Sequence, residues 1–459
     1  MPVCECVELG LDEHGLRNLV PCHNQRMVEA PKTDTRVRLS PDQAAELASR
    51  FGTPLYVIDE KHFRDRIRQY KTAFEAVAHG SEISFASKAN STLALLAIAY
   101  QEGCAIDVAS EGELRAAMQA GVPARKCHFH GNNKSQAELE FAIEQGVGQI
   151  IVDNFEEIAK LGALKPSIDL LLRLAPGVDP VTHAKISTGQ ADTKFGFNIS
   201  DGSAERALVE CLSFGLNVIG FHCHVGSQLL DPDAQRAGGE TIARFASEMK
   251  AKHGFETKLI NFGGGLGVTY IEGASPITIE DYCRLVVQAV RDGWAGSGLT
   301  PKIAQEPGRS LVGESGVTLY RVGAIKTVPT KEGHRTYVAV DGGLSDNPRP
   351  ALYESKYTVE QVAPRTPEKR TYTVSGKHCE TDTLFKDIQL PSDLAAGDLL
   401  QVLCTGAYNS SMASNYNRLP RPATVLIRTD GSLQLIQKRD TWAEMFAREI
   451  VPDGLGSGG

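Results

Sequence analysis

The sequence has no long apolar run, no excess of basic residues and no dense pattern of paired cysteines. Because no stretch approaches the ~18 apolar residues that cross a bilayer, we expect no membrane-spanning helix. The formal net charge of -8 leaves no basic field for nucleic acid or an anionic membrane. The ten cysteines are scattered, unlike those of a secreted disulfide scaffold, which indicates a reducing compartment. A small molecule is therefore the expected partner.

The first thirty residues also lack the apolar core of a signal peptide. They contain Glu5, Glu8, Asp12 and Glu13 instead, so we predict a cytoplasmic protein. Four possible metal ligands lie in this segment: Cys4, Cys6, Cys22 and His23. Their spacing matches none of the usual zinc motifs. We interpret the segment as an N-terminal extension without an assigned role, and we predict no metal site.

The middle of the chain alternates apolar runs with helix-sized segments. The segment Gly112–Ala120, for example, places apolar Leu114, Ala117 and Met118 among charged neighbours, as in a crossover helix. This alternation predicts a TIM-like (β/α)8 barrel. The eight candidate strands are Ile83–Ala86, Ala105–Val108, Cys127–His130, Ile150–Val152, Leu170–Leu174, Val218–His222, Lys258–Phe262 and Lys302–Gln305.

From about Thr318 the pattern changes to β-rich runs that no long helix separates, which predicts a mainly antiparallel β domain. The predicted strands are Leu319–Lys326, Thr336–Asp341, Thr371–Ser375, Leu399–Cys404 and Ala423–Thr429. We expect Leu55–Ile58 to join this domain, because a strand that precedes the barrel has no place inside it. The predicted organisation is an extension with that strand (1–59), a barrel (60–317) and a β domain (318–459) that ends in a flexible tail, Gly454–Gly459.

Polar residues cluster where the predicted barrel strands end, which is where barrel enzymes place their catalytic groups. They are Lys88, Asp107, His130, Arg173, His222, His224, Gly263–Gly265 and Glu306–Arg309. Lys88 follows the first strand, where loss of solvation makes an amine nucleophilic. Taken alone, a lysine is more often a surface residue, and only the other strand ends favour the catalytic interpretation.

Two later loops suit an anionic, nitrogen-containing ligand. Glycines at 263–265 let the backbone approach an anion after the seventh strand, although a flexible turn has the same composition. After the eighth strand, Glu306 could keep a ring nitrogen protonated and Arg309 could bind an anion. A structural Glu–Arg ion pair is the alternative.

Taken in order, the motifs resemble those of the fold-type III pyridoxal-phosphate decarboxylases, whose fold is an alanine-racemase-type barrel with a β domain. The resemblance runs from about Leu55 to Ile427 and is closest to members that act on meso-2,6-diaminopimelate. The motifs that carry it are Phe85–Asn90, Asp107–Glu113, His128–Asn132, Thr193–Gly196, His222–Gln228, Gly263–Gly265, Glu306–Arg309, Arg349–Tyr353, His378–Glu380 and Gly406–Tyr408.

The resemblance implies that the cofactor is pyridoxal 5'-phosphate, bound covalently by Lys88. His224 would stack on the cofactor ring and Glu306 would pair with its nitrogen. The phosphate would lie among Ser227, Gly264, Gly265 and Tyr408. The remaining residues implied for the cofactor site are Asp107, Arg173, Gly308 and Arg309.

For the substrate, the resemblance implies binding by Arg309, Arg349, Tyr353 and Tyr408, with Glu380 nearby. Cys379 would return a proton to the substrate carbon, and it would do so in the site of a partner subunit. The expected assembly is therefore a homodimer with shared active sites. The expected reaction is decarboxylation of meso-2,6-diaminopimelate to L-lysine and carbon dioxide, the last step of lysine biosynthesis.

The sequence departs from the common family pattern at Thr381–Thr383 and at Ser345–Pro348. A decarboxylase of another amino acid, such as ornithine, lysine or arginine, is therefore an alternative on the same scaffold. Those substrates carry a cationic tail and would need acidic residues in the distal pocket, whereas Gln228 favours the diaminopimelate branch. A catalytically silent cofactor-binding protein is the least favoured alternative, because Lys88, Glu306 and Cys379 are all present.

Overall fold

The structure is a computed structural model that describes residues 34–178, 192–331, 333–381 and 383–455. The chain divides into two units, residues 1–35 and 36–459, and all that follows concerns the second. Three features predicted from sequence lie partly or wholly outside the described residues. They are the N-terminal extension with its four possible metal ligands, most of the loop Asp179–Phe197, and the end of the glycine-rich tail.

The strands, in chain order, are β1 Leu55–Asp59, β2 Glu82–Ala86, β3 Ala105–Val108, β4 Cys127–Phe129, β5 Gln149–Val152, β6 Asp169–Ala175, β7 Phe197–Asn198, β8 Val218–Cys223, β9 Leu259–Asn261, β10 Lys302–Gln305, β11 Gly316–Thr330, β12 Gly333–Val340, β13 Val359–Gln361, β14 Lys369–Ser375, β15 Phe385–Pro391, β16 Leu399–Leu403, β17 Ala423–Ile427 and β18 Leu433–Gln437. The α-helices are α1 Pro41–Phe51, α2 Glu60–Glu75, α3 Leu93–Gln101, α4 Glu111–Gln119, α5 Gln136–Gln145, α6 Phe155–Leu164, α7 Ser203–Ser213, α8 Asp233–His253, α9 Ile279–Trp294, α10 Arg309–Val312, α11 Arg349–Tyr353 and α12 Trp442–Phe446.

Eight parallel strands close into a barrel in the order β2-β3-β4-β5-β6-β8-β9-β10. The barrel closes where Ala304 of β10 pairs with Glu82 of β2. Every barrel strand predicted from the apolar runs is present, and the fold class is confirmed. The short strand β7 adds to β6 after the loop that the structure leaves undescribed.

Side chains of the barrel strands alternate between two environments, as the two-residue period of a strand requires. Ile150 and Val152 of β5 pack outward in the large core shared with the helices. Ile151 faces the barrel interior, where it joins a small apolar cluster with Leu171 and Ile219. This cluster fills one side of the interior.

Five of the helices around the barrel, α2, α4, α5, α6 and α9, begin at an N-cap whose side chain accepts a backbone hydrogen bond. Ser135 accepts a hydrogen bond from the N–H of Glu138, whose side chain returns a bond to the N–H of Ser135. Such a capping box satisfies two N–H groups that have no partner within the helix. Helix α4 runs over Glu111–Gln119, one residue earlier at each end than predicted. No helix in the described part of the chain is long and apolar enough to span a membrane.

The second sheet is mainly antiparallel and has the order β15-β14-β12-β11-β1-β17-β18, with β16 also paired to β11 and β13 to β16. Strand β1 lies at its centre, where Leu55 pairs with Leu319 on one side and with Ala423 on the other. The two chain segments that flank the barrel are therefore hydrogen-bonded to each other. This connection holds the β sheet against the barrel end at which the site described next is found.

Candidate active site

A cavity of about 300 Å³ lies where the carboxyl ends of the barrel strands meet the β domain. Every site residue predicted from the sequence lines it, with the exceptions of Cys379 and Glu380. The predicted residues that line it are Lys88, Asp107, Arg173, His224, Ser227, Gly264, Gly265, Glu306, Gly308, Arg309, Arg349, Tyr353 and Tyr408. Residues more than 300 positions apart in the chain thus share one enclosed space.

Lys88 enters this cavity from a 3₁₀ turn, Ser87–Ala89, directly after β2. The turn is fixed from the other domain, since the N–H of Tyr408 donates to the carbonyl of Ala89 at 2.8 Å. Tyr408 itself has a φ of 60°, in the left-handed region that costs a non-glycine residue on the order of 1 kcal/mol or more. A backbone strained in this way is typical of a functional position.

His224 follows β8 and faces the same cavity. Burial, together with the positive charges of Lys88 and Arg173, lowers the pKa of His224 well below its ordinary value. The imidazole is therefore neutral at pH 7. A neutral aromatic ring beside a reactive amine is suited to stack against a planar ligand bound by that amine.

The glycine loop after β9 forms a close-fitting backbone cradle. A Cβ atom on Gly264 would lie 2.4 Å from the carbonyl oxygen of Glu306, and Gly265 has a φ of 130°. The loop is held by a 2.9 Å bond from the N–H of Gly263 to the side chain of Asn261. Only glycine fits both positions, which leaves backbone N–H groups accessible to an anion.

Arg309 supplies the charge beside this cradle. Its Nη2 donates to Ser227 Oγ at 3.1 Å, and its guanidinium lies 4.6 Å from the ring centre of Tyr408. The glycine cradle, a hydroxyl and a guanidinium together form a donor set suited to a phosphate group.

Glu306 follows β10 and is bound on both carboxylate oxygens. Asn261 donates to Oε1 at 2.6 Å and His222 Nε2 lies 3.0 Å from Oε2, while His130 Nε2 lies 3.3 Å from Oε1. Burial would raise the pKa of Glu306, but the interactions with His130 and His222 lower it well below its ordinary value. The result is a carboxylate that stays ionised and can hold a protonated ring nitrogen.

His130, His222 and Glu306 also bring three possible metal-binding atoms within 4.8 Å of one another, the one such trio in the described residues. Both histidines contact the carboxylate directly. We therefore interpret the trio as a cluster of a carboxylate and two imidazoles rather than a metal site. That the protein needs no metal ion stays a prediction.

Arg349 lies across the cavity from the barrel, in helix α11 of the β domain. It is 4% exposed, and its guanidinium lies 5.3 Å from the ring centre of Tyr353 and 5.6 Å from that of Tyr408. Among the described residues, neither Arg349 nor Arg309 pairs with a carboxylate. Two buried guanidinium groups without acidic partners form a site for anions.

Several lining residues were missed or left without a role by the sequence interpretation. His130 was noted at a strand end but given no role, although it contacts Glu306. Phe195 belongs to a recognised motif and packs 4.2 Å from the guanidinium of Arg173. Glu113 and Met412 also line the cavity. No sequence signal distinguishes a methionine such as Met412 from an ordinary packing residue.

Cys379 and Glu380 lie outside this cavity, on the surface of the β domain. Cys379 is exposed, and its N–H donates to Asn417 Oδ1 at 2.9 Å. Glu380 accepts a hydrogen bond from Tyr416, whose ring stacks on His378. In the segment Thr381–Thr383, which departs from the common family pattern, residue 382 is outside the described residues. Neither Cys379 nor Glu380 reaches the site of its own chain.

Comparison with known protein families gives a match over residues 60–313 to the pyridoxal-binding domain of the pyridoxal-dependent decarboxylases. The diaminopimelate decarboxylase of Bacillus subtilis (strain 168) is 46% identical over 416 residues, which cover 89% of this chain and 93% of that enzyme. Similarity on this scale extends well beyond the barrel and includes the β domain.

Solved structures give the same result. The diaminopimelate decarboxylase of M. jannaschii in complex with L-lysine superposes with a TM-score of 0.84 at 34% identity, covering 92% of this chain and 98% of that one. The Helicobacter pylori diaminopimelate decarboxylase, also with L-lysine, has a TM-score of 0.79 at 31% identity, with 88% and 98% covered. Both structures thus share the two-domain arrangement described above.

Proposed function

The chain belongs to the pyridoxal-dependent decarboxylases, among the diaminopimelate decarboxylases, and on this premise we propose that it converts meso-2,6-diaminopimelate to L-lysine and carbon dioxide. The reaction breaks the bond between one α-carbon and its carboxylate and adds one proton to that carbon. The second amino-acid centre of the substrate stays intact.

The proposed cofactor is pyridoxal 5'-phosphate. When bound, it supplies an electron sink for the pair that remains after the carboxylate leaves. The residues present fit this group, since the cradle at Gly264 excludes any side chain and Glu306 is an ionised carboxylate in the same cavity. Lys88 would bind the cofactor through its amine, and the neutral ring of His224 would stack on it. Ser227, Arg309 and the glycine loop would hold its phosphate.

The observation that carries the substrate assignment is the burial of Arg349 beside Arg309. Both are 4% exposed, and neither pairs with a carboxylate in the described part of the chain. A diaminopimelate molecule keeps one carboxylate while losing the other, so it needs a cation that holds the retained group. Substrates with a cationic tail, such as ornithine, would be repelled by the same guanidinium.

We assign the return of the proton to Cys379 of a partner subunit in a homodimer. The exposure of Cys379 and its place outside the cavity of its own chain support this assignment. A surface thiol can act at a second site if two subunits pack with twofold symmetry, because such an interface repeats each contact. Each dimer would then contain two sites, each built from both chains.

The proposed compartment is the cytoplasm. Free thiols are buried throughout the fold, among them Cys104, Cys211 and Cys283, and burial raises the pKa of each to about 12. Unpaired cysteines in this number are typical of proteins kept in a reducing environment.

The test is release of carbon dioxide by cofactor-loaded protein given meso-diaminopimelate, L-lysine, L-ornithine or L-arginine separately, with products identified by mass. Release from diaminopimelate alone, with L-lysine as product, is the expected result. The matched control is Lys88→Ala, which should lose the visible absorption of the bound cofactor together with turnover. Release from ornithine or arginine with diaminopimelate inert would overturn the substrate assignment.

A further inference from the structure

One side of the barrel interior is polar rather than apolar. Ser84, Asp107 and His128 each lie between outward-facing apolar neighbours on β2, β3 and β4, so their side chains point into the barrel. They face the small apolar cluster on the opposite side. Buried polar groups persist in a core only when they are paired, so this row requires an explanation beyond packing.

The polar residues form a continuous ladder of alternating acids and imidazoles. His128 is 3% exposed and lies between two carboxylates, with Nε2 3.2 Å from Glu82 Oε1 and Nδ1 3.4 Å from Asp107 Oδ1, while the hydrogen-bond partner of Nδ1 is Ser84 Oγ at 3.0 Å. The same oxygen of Asp107 lies 3.8 Å from His130 Nε2, and that nitrogen lies 3.3 Å from Glu306 Oε1. The ladder therefore ends at the carboxylate assigned to the cofactor nitrogen.

The ladder begins at the opposite end of the barrel. Glu82 lines a second cavity, of about 1120 Å³, at the amino ends of the strands, and it has no place in the cofactor cavity. Lys126 and Lys302 also line this second cavity, which we call the floor cavity. Acid–imidazole pairs thus connect the cavity at the amino ends of the strands with the site at their carboxyl ends.

Two carboxylates compete for one proton donor in the middle of the ladder. His130 Nε2 faces both Asp107 and Glu306. A hydrogen on that nitrogen stabilises the ionised form of whichever carboxylate it points to. The imidazole of His128, 3.4 Å from Asp107 Oδ1 on the other side, offsets the charge of that carboxylate and so leaves His130 to Glu306. Without His128, Asp107 would attract that N–H away from Glu306.

We propose that Glu82 and His128 are positioning residues that direct the His130 N–H to Glu306 and so keep that carboxylate ionised opposite the cofactor nitrogen. This inference rests on the proposed function insofar as it requires the pyridoxal cofactor. It does not depend on which amino acid is decarboxylated. Neither residue touches the cofactor cavity, and both act through Asp107 and His130.

The electrostatics of the ladder agree with this geometry. Burial would lower the pKa of His128, but Asp107 and Glu82 raise it to about 10. The bond to His128 lowers the pKa of Glu82, with smaller contributions from Lys126 and Lys302. Because a raised histidine pKa means that the charge is lost only as the pH rises through that value, His128 stays charged at pH 7–9.

The experiment compares His128→Gln and Glu82→Gln with wild type, using pyridoxal phosphate labelled with ¹⁵N in its ring and no substrate. The ¹⁵N chemical shift reports directly whether the ring nitrogen carries a proton. In His128→Gln we expect the shift to move toward the unprotonated value and the cofactor Kd to rise roughly 10-fold, the effect of weakening one charged hydrogen bond. Glu82→Gln should change the ¹⁵N chemical shift and the cofactor Kd in the same direction, but by a smaller amount than His128→Gln does.

The matched control is Glu75→Gln, an exposed carboxylate in the same floor cavity that binds the N–H of Gly80 instead of the ladder. It should leave the ¹⁵N shift and the Kd unchanged. If His128→Gln does not fold, Glu82→Gln decides the matter, since it keeps the shape of the side chain. Wild-type ¹⁵N shifts in both ladder variants would overturn the proposal while leaving the decarboxylase assignment intact.

A changed ¹⁵N chemical shift in the two variants, together with a wild-type enzyme that is inactive on diaminopimelate, would support the role of the ladder and reject the proposed substrate. Failure of the wild type to bind pyridoxal phosphate would overturn both proposals.

Discussion

At the scale of single residues, the cavity is distinguished by buried guanidinium groups that pair with no carboxylate in the described part of the chain. A buried guanidinium without an acidic partner costs several kcal/mol unless a ligand compensates it. Arg349 is surrounded by aromatic rings, which attract a cation only weakly. Its burial is explained if a substrate carboxylate completes the site.

Replacement of Arg349 by methionine should therefore raise the KM for diaminopimelate by roughly 10- to 100-fold, since a hydrogen bond to a charged group contributes about 1.5–3 kcal/mol. The cofactor absorption should not change, because Arg309 and not Arg349 contacts Ser227. Steady-state kinetics and a visible spectrum provide the two readouts. Arg38→Met, which removes a surface arginine paired with Glu360, is the control. An unchanged KM in Arg349→Met would place the substrate elsewhere in the cavity.

At the scale of elements, the loop after β9 shows how a short strand prepares a binding site. The strand ends at Asn261, whose side chain binds both the N–H of Gly263 and the carboxylate of Glu306. One buried amide thereby connects the glycine cradle with the residue assigned to the cofactor nitrogen. The two groups proposed to hold the ring nitrogen and the phosphate, Glu306 and the glycine cradle, are thus connected within the barrel.

The variant Gly264→Ala should lose most of its affinity for the cofactor, because the added methyl would meet the backbone of Glu306 at 2.4 Å. Neither backbone can move without displacing a barrel strand end. Equilibrium binding of pyridoxal phosphate, followed by absorption, measures the loss. In Gly112→Ala the nearest atom would lie 3.7 Å from the new methyl, so the same substitution in helix α4 should have no effect. Equal affinity in the two variants would show that the loop does not hold the phosphate.

The elements that the sequence revealed are those with a clear apolar pattern. The barrel strands are buried on both sides and read as continuous apolar runs, so they were predicted to within a residue or two. Strands β13, β15 and β18 were missed for the opposite reason. In β15, Lys386 and Asp387 interrupt the alternation, and Asp387 has a positive φ of 54°. No local pattern identifies such a strand, whose neighbours in the sheet determine it.

The same contrast applies to the site. Motif resemblance proposed the residues that line the cavity, because those lie at strand ends within recognisable segments. It gave no role to His130 and did not suggest the ladder to Glu82, which depends on side chains from three strands meeting inside the barrel. Contacts of this kind arise from closure of the sheet and have no signature in any one segment.

At the scale of the whole molecule, one chain contains a cavity without its proposed proton donor and a surface thiol without a site. Cys379 lies on the β domain beside His378 and Glu380, away from Lys88. A dimer in which each thiol enters the other subunit's cavity resolves both facts together. Complementation between inactive variants tests this arrangement.

Lys88→Ala should be inactive, and Cys379→Ala should retain the cofactor while losing roughly 10²- to 10⁴-fold in turnover, the contribution of a positioned acid. Mixed after dissociation, the two variants should recover about a quarter of wild-type activity. Half of the dimers then contain one chain of each kind, and in those one site of two is intact. A mixture that stays inactive would show that each site is complete within one chain.

The central position of β1 in the second sheet has a consequence for synthesis. Leu55 emerges early from the ribosome, yet its partner Ala423 follows roughly 370 residues later, which at ~5–20 residues per second takes about 20–70 s. The barrel strands are all synthesised within that interval, and Arg349 and Tyr408 follow them. The nascent chain can thus form its cofactor lysine and glycine cradle while the substrate cation is still missing. A product terminated before Ala423 would therefore leave β1 without one of its two partner strands.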